Sequence, residues 1–264
     1  LTNTLNVGKV WDALVGIVIE QCQNDGLEPM SINPVVGECN DSRINRIQKR
    51  AVGAAEVRQA FASVADDFEE GAVGAGTGTI CYGMKGGIGS ASRVIRIGEK
   101  EYTIGVLVQS NFGATEDFVL NGEAVGAKIL DWKQEKDDMA ASEEDKGSIM
   151  SILATDLPLT SRQLKRILRR TGVGIARTGG YTGHGSGEVM IGFTTENRIP
   201  SGTEEKLLQI QAIPEHVINR AFLAAAEAEQ EAILNSMTAA KQTRGRKGEL
   251  YYSLAEYLND RKPE

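Results

Sequence analysis

The segment Tyr102-Thr103-Ile104-Gly105-Val106-Leu107-Val108 limits most strongly how this chain can fold. Side chains alternate between the two faces of a strand, and Ile104, Val106, Leu107 and Val108 leave almost no polar face. A strand apolar on both sides is covered on both sides, which requires stacked layers and excludes an exposed meander. Residues 93–97 read as its hairpin partner, joined through Gly98-Glu99-Lys100. The chain has 264 residues, enough to bury a substantial core.

Helical periodicity brackets this hairpin. Trp11, Leu14, Val15, Val18 and Cys22 recur at spacings of three and four, predicting a helix over 10–24 that stops at Asn24-Asp25-Gly26. A second helix is predicted over 47–70, with Val57, Phe61, Val64 and Phe68 as its stripe and Gly71 past its last turn. Further on come a strand-like run over 148–153, a basic helix over 161–170 and strands over 189–195 and 206–213. A final helix begins near Pro214 and buries Ile218, Phe222, Ala225, Ile233 and Met237. Residues 131–146, DWKQEKDDMAASEEDK, are mostly charged without apolar periodicity and read as a solvated linker. The tail beyond Gly245 is charged and reads as loosely held. This order suits stacked sheets sandwiched by helices.

Several function classes are disfavoured. The densest of the 30 glycines lie between Gly71 and Gly89, which invites a phosphate-loop reading. No G-x-x-x-x-G-K-[ST] string exists, and Gly74-Ala75-Gly76-Thr77-Gly78 has the wrong spacing for a dinucleotide fingerprint and follows a helix. Those glycines serve tight turns, close approach between layers, or a wall beside a substrate backbone. The formal charge of -7 argues against a nucleic-acid-binding surface spread over the whole domain. Cys22, Cys39 and Cys81 are odd in number and widely spaced, which supports neither a disulfide framework nor a zinc site; a reducing, cytoplasmic compartment is the simpler reading. With only His184 and His216, a His-rich metal centre is disfavoured. The longest apolar run, residues 13–19, is too short to cross a bilayer. The chain begins at Leu1 without a Met, as a processed, trimmed or incomplete N-terminus would.

Few places can hold chemistry. At Lys146-Gly147-Ser148 a charged run meets an apolar strand, so the step is either a turn before a strand or a cleavage point. A break there would give Ser148 a free α-amine with an ordinary pKa of about 7.7–8.0. That amine can serve as base for its own hydroxyl, which removes the need for a histidine. In Gly185-Ser186-Gly187-Glu188 the Ser and Glu point the same way if strand alternation holds, and the carboxylate can then orient the hydroxyl; a turn is the plainer reading. Asn111, after the apolar strand, is either a strand-end turn residue or a donor to an oxyanion. Glu38, after Pro34-Val35-Val36-Gly37, is an ordinary loop residue or a holder for a cationic amine.

Taken together, LTNTLNVGKVWDA, PVVGECND, GAVGAGTGTICYGMKGGIGSASR, VLVQSNFG, GSIMSILATDLPL, GIARTGG and GSGEVMIGFTT resemble the DmpA-type peptidases. These are self-processing serine aminopeptidases that include L-aminopeptidase/D-amino-acid esterases and β-aminopeptidases. The similarity runs in order over nearly the whole chain. It implies a single four-layer αββα sandwich over 1–264, related in architecture to N-terminal nucleophile hydrolases. It implies self-cleavage between Gly147 and Ser148 into 1–147 and 148–264, with 131–147 as the charged linker before the cut. Family members carry a longer stretch ahead of the LTNT segment.

Through the resemblance Ser148 is the nucleophile, Ser186 and Glu188 support it, Asn111 stabilises the oxyanion and Glu38 binds the substrate's free amine. No metal or organic cofactor is implied. The implied partners are a short peptide, amino-acid amide or ester as substrate, the chain's own second subunit, and further copies in a homo-oligomer. Neither nucleic acid nor membrane is implied. After Glu38 the family carries Thr, aromatic residues and an Asp-Gly pair, whereas this chain reads Cys39-Asn40-Asp41-Ser42-Arg43. The alternatives are an uncleaved, silent relative acting as a binding or scaffold protein, and an acyltransferase of the same architecture; Ser148 argues against the latter, whose second chain begins with Thr.

Overall fold

A computed structural model describes residues 1–136, 147–199 and 206–261. The chain opens with β1 (Thr2–Asn3), α1 (Val7–Asn24), β2 (Glu38–Cys39) and α2 (Ala54–Ala62), and β2 pairs parallel to β1. Two short antiparallel strands, β3 (Ile80–Cys81) and β4 (Met84–Lys85), precede the long hairpin of β5 (Gly87–Ile97) and β6 (Lys100–Asn111). Next come β7 (Val119–Leu120), β8 (Glu123–Ala124) and α3 (Gly126–Glu135). The remainder holds β9 (Ser148–Thr155), α4 (Ser161–Leu168), α5 (Thr171–Arg177), β10 (Gly187–Thr194), α6 (Ile218–Thr238), β11 (Thr243–Arg244), β12 (Leu250–Tyr251) and α7 (Leu254–Asp260).

The principal sheet runs β10-β9-β6-β5. Its hairpin turns through Gly98, whose φ of 63° suits a residue without Cβ. β9 and β10 are parallel neighbours, so a crossover must join them, and α4 and α5 form it. One face of the sheet lies under α6. Ile104, Val106, Val108, Ile149 and Leu153 are buried there against a helix rich in buried alanine, including Ala221, Ala225, Ala228 and Ala232. The helix approaches so closely that a Cβ on Gly89 would stand 2.1 Å from the Ala232 carbonyl oxygen.

Among the described residues the opposite face is covered at one end only. There Gln109 Nε2 donates to the carbonyls of Thr2 and Ala75, and Gly37 packs on Met150. β1 and β2 thus form a small second β layer, backed by α1 and α2. The order of layers is helix, sheet, sheet, helix, as expected. At the far end Val94 and Phe193 stay exposed, so among the described residues the doubly apolar strand is enclosed on both sides along only part of its length.

Five expectations are corrected. The helix read over 47–70 is a short 3-10 turn followed by α2, which stops at Ala62; Phe61, Val64 and Phe68 are exposed. Asp66, Asp67, Glu69 and Glu70 follow, and carboxylates oppose the dipole at a helix C-terminus. The strand read over 206–213 does not form in the described part: Asn197 uses its side-chain amide to bond both the N–H and the C=O of Gln211, standing in for a neighbouring strand.

The charged run is helix as far as Glu135, because Ile129 and Trp132 are buried on one face; residues 137–146 lie outside the described residues. The tail is docked, not loose: Tyr252 and Tyr257 pack edge-on against Trp132 at 5.0 and 5.5 Å, and Trp132 Nε1 donates to Asp260. In addition, α1 buries Val10 and Ile17, with Leu14 of the predicted stripe packed against them, and leaves Trp11 exposed.

Candidate active site

Ser148 opens β9 and is half-buried, with Asn111 of β6 and Gly187 of β10 as its register partners. The residue before it can only be glycine. A Cβ at Gly147 would lie 1.8 Å from the Asn111 carbonyl oxygen. On the other side the Gly147 carbonyl accepts a bond from Gly187 N–H at 3.2 Å. The Gly147–Ser148 peptide is therefore held between two strands at a sheet end. Beneath it the buried Cys39 thiol donates to the Ser148 carbonyl at 3.5 Å. Burial pushes that thiol's pKa up to about 12, so it stays protonated and serves as a donor.

Asn111 is buried and fixed at both ends of its amide. Its Oδ1 accepts from Ile80 N–H at 3.0 Å, and its Nδ2 donates to the Asn40 carbonyl at 3.2 Å. These bonds settle which end of the amide is the donor, and one Nδ2 hydrogen is left without a partner among the described residues. An oriented donor beside a half-buried hydroxyl is the arrangement needed to stabilise an oxyanion. A cavity of about 230 Å³ opens here, bordered by Asn111, Phe112 and Gly147.

Ser186 Oγ donates to Glu188 Oε1 at 2.7 Å, so the two side chains point the same way as their spacing predicts. Gly187, between them, is the register partner of Ser148, which places the pair beside Ser148 on the adjacent strand. Among the described residues no side-chain hydrogen bond joins the pair to Ser148. Glu38 lies on β2, the segment that crosses the same sheet face as Ser148, and its carboxylate accepts from Thr4 Oγ1. Both histidines are exposed, His184 in the turn before Ser186 and His216 ahead of α6. Among the described residues no group of three or more His, Cys, Asp or Glu side chains converges as a metal site would require.

Sequence reasoning missed Lys85. It is fully buried, and its Nζ donates to the carbonyls of Gly76, Thr79 and Gly86 at 2.7–2.9 Å. Burial pulls its pKa down to about 7. Lys85 gathers the glycine-rich segment around one ammonium, and Ile80, next to Thr79, holds Asn111. The legible signal was a lysine set in Cys81-Tyr82-Gly83-Met84-Lys85-Gly86-Gly87, where little else is charged. Asp41 was also missed: it is buried and accepts from Asn3 and Asn45, tying β1 to the loop after β2.

Residues 1–251 match the family model of peptidase family S58. The chain belongs to that family. β-Peptidyl aminopeptidase BapA of Sphingosinicella xenopeptidilytica is 33% identical over 262 residues, which cover 96% of this chain. The chain spans 65% of the length of that curated relative. Among solved structures, the PH0078 protein of Pyrococcus horikoshii OT3 superposes with a TM-score of 0.86 at 43% identity, covering 97% of this chain and 70% of that one. The L-aminopeptidase D-Ala-esterase/amidase of Ochrobactrum anthropi, a prototype serine aminopeptidase, superposes at 0.85 with 33% identity, covering 98% and 70%. It is a variant of the Ntn hydrolase fold, and this family S58 chain shares that fold. No described helix is long and apolar enough to cross a membrane.

Proposed function

We propose that this S58 chain is a self-processing serine aminopeptidase that removes the first residue of short peptides, amino-acid amides or esters. The observation that carries the reading is Ser148, held at a sheet end behind a position only glycine can fill and beside the oriented Asn111 amide. In self-cleavage Ser148 Oγ attacks the Gly147 carbonyl carbon, the Gly147–Ser148 C–N bond breaks, and the acyl group passes to oxygen as an ester. Water hydrolyses the ester, leaving residues 1–147 and a new α-amine on Ser148. With an ordinary pKa of about 7.7–8.0, that amine can take the proton of its own hydroxyl.

In turnover Glu38 holds the substrate's ammonium and so selects the first residue. Ser148 Oγ then attacks the scissile carbonyl, Asn111 Nδ2 donates to the oxyanion, and the amine of Ser148 returns its proton to the leaving nitrogen. The hydrogen-bonded Ser186–Glu188 pair, flanking Ser148 on the next strand, orients that amine. Water releases the acyl group and regenerates the serine. The three free cysteines support a cytoplasmic setting, and we assign the working form to paired halves assembled as a homo-oligomer.

Intact mass of freshly made protein tests the reading: two fragments meeting at Gly147/Ser148 are expected, with hydrolysis of aminoacyl p-nitroanilides. Ser148→Ala should remain one chain and lose hydrolysis. A chain that stays whole and inert in its unmodified form would instead favour a silent binding relative.

A further inference from the structure

We propose that Thr4 is a positioning residue for substrate binding: its hydroxyl holds the Glu38 carboxylate at the span from Ser148 that a substrate's ammonium and scissile carbonyl require. The inference rests on the serine aminopeptidase reading and names the residue that sets its amine site. A carboxylate that selects the first residue must stand at one distance from the nucleophile, because the ammonium and the carbonyl belong to the same residue. The main chain of Glu38 is already fixed relative to Ser148. Next to it, the buried Cys39 thiol shares its proton between the Ser148 carbonyl at 3.5 Å and the Gln109 carbonyl at 3.6 Å. On the other side Thr2 N–H donates to the Gly37 carbonyl at 3.0 Å. Gly37 is seated so closely on Met150 of β9 that a Cβ there would lie 2.5 Å from the Met150 Cε.

What these contacts leave unfixed is the Glu38 side chain with its rotatable bonds. Thr4 removes that freedom, because its Oγ1 donates to Glu38 Oε2. A hydroxyl bonded to a carboxylate makes a charge-assisted bond, stronger than one between neutral groups. Thr4 is itself held. It begins the 3-10 turn after β1 and stands between Asn3 and Asn6, both buried. Asn6 Nδ2 donates to Asn3 Oδ1 at 2.6 Å, Asn3 Nδ2 donates to Asp41 Oδ2 at 3.2 Å, and Asn45 Nδ2 donates to the same oxygen at 2.9 Å. That chain of amides ties the turn to the loop following β2, the strand that carries Glu38. With Oε2 engaged, Oε1 is the oxygen that meets the ammonium, and binding does not have to order the side chain first. Self-cleavage makes no use of this arrangement, since the nitrogen of Gly147 is bound in the peptide to Lys146.

The full chain separates the two steps: hydrolysis of aminoacyl p-nitroanilides gives kcat and KM, and intact mass over time gives processing. Thr4→Val keeps the shape and removes the hydroxyl. Its KM should rise about three- to tenfold, the penalty of ordering one long side chain at binding, with kcat within about twofold of the parent. Processing should run at the parent rate, and Thr4→Ser should keep the parent KM. An unchanged KM in Thr4→Val overturns the inference, as does a fall in kcat at constant KM or a Thr4→Ser variant as impaired as Thr4→Val. Processing slowed in step with hydrolysis marks a merely structural role and overturns it too. Thr4→Ala supplies the same readings should Thr4→Val not fold. Glu38→Gln tests the reading beneath: a KM unchanged there refutes the amine site itself, whatever Thr4 does. An unmodified protein that hydrolyses no aminoacyl p-nitroanilide refutes the aminopeptidase.

Discussion

Gly147→Ala puts the proposed cleavage site under a load that can be worked out. The new Cβ would stand 1.8 Å from the Asn111 carbonyl oxygen, 2.7 Å from its carbon and 2.8 Å from the Phe112 Cα. Ordinary contact is roughly 3.5 Å, so the overlap exceeds an ångström. All three neighbours are main-chain atoms at the end of β6, which is paired with β9 on one side and β5 on the other. They cannot swing aside as a side chain would. Relief must come from the Gly147 segment, which gives up its bond from Gly187 N–H and opens the Asn111–Ser148 end of the ladder. Overpacking contributes about 1–3 kcal/mol and the lost hydrogen bond about 1 kcal/mol more. For a chain of this size that amounts to a fall in Tm of roughly 4–16 °C.

The same shift moves Ser148 relative to Asn111, and an ångström of misplacement lowers a rate by about a hundredfold. Thermal melts of Gly147→Ala in a Ser148→Ala background, where neither protein is cut, isolate the stability loss. A time course of intact mass in the unmodified background reads processing. A melt within a degree of the parent, with fragments appearing at the normal rate, would refute the steric argument. A destabilised variant that still processes normally would refute the link between this geometry and the chemistry.

Two further outcomes follow from buried charges. Glu229 of α6 is buried, accepts from Ser151 Oγ at 2.6 Å, and burial raises its pKa to about 8. The native chain then holds a proton that the unfolded chain releases above about pH 4.5, so stability declines as pH rises from there toward 8. Glu229→Gln should flatten that decline and gain on the parent by up to about 3 kcal/mol at pH 7, read from urea midpoints at pH 5, 6, 7 and 8; parallel curves would sink the assignment. Lys85→Met leaves three carbonyls without their ammonium and should destabilise by about 3–5 kcal/mol. It should also slow hydrolysis through the Ile80–Asn111 bond, with kcat falling more than KM changes; unaltered melting and kcat would show that Lys85 does neither job.

How much of this was legible in the sequence depended on whether a pattern was local. Short apolar runs bounded by turn residues located β5, β6, β9 and β10, and the Ser186–Glu188 contact followed from a spacing of two. Ser148 was singled out where a charged run gives way to an apolar strand. Helix boundaries fared worse because composition and packing pulled apart. Counting charges from Asp131 divided α3 through the middle and concealed that Ile129 and Trp132 share a face. The docked tail had a readable start, Ser253-Leu254-Ala255-Glu256, in which Ser253 and Glu256 cap each other. Lys85 and Asp41 escaped because each is fixed by groups distant in sequence, and no spacing rule reports that a lysine will meet three carbonyls. The short α2 was overread because Phe61, Val64 and Phe68 have helical spacing with no neighbour to cover them.

The strand order β10-β9-β6-β5 has a consequence for a chain severed at Gly147–Ser148. The break would divide the principal sheet down its middle, leaving β5 and β6 in the first fragment and β9, β10 and α6 in the second. The β6–β9 ladder, the helix lying on β5 and β6, and the Trp132 contacts with Tyr252 and Tyr257 would all become intermolecular. What had been one hydrophobic interior would be an obligate interface, and neither fragment alone would own a complete core. Unfolding would then be a dissociation and refolding a second-order event, so a single hydrolysed bond would change the kinetic order of folding while leaving the folded architecture in place.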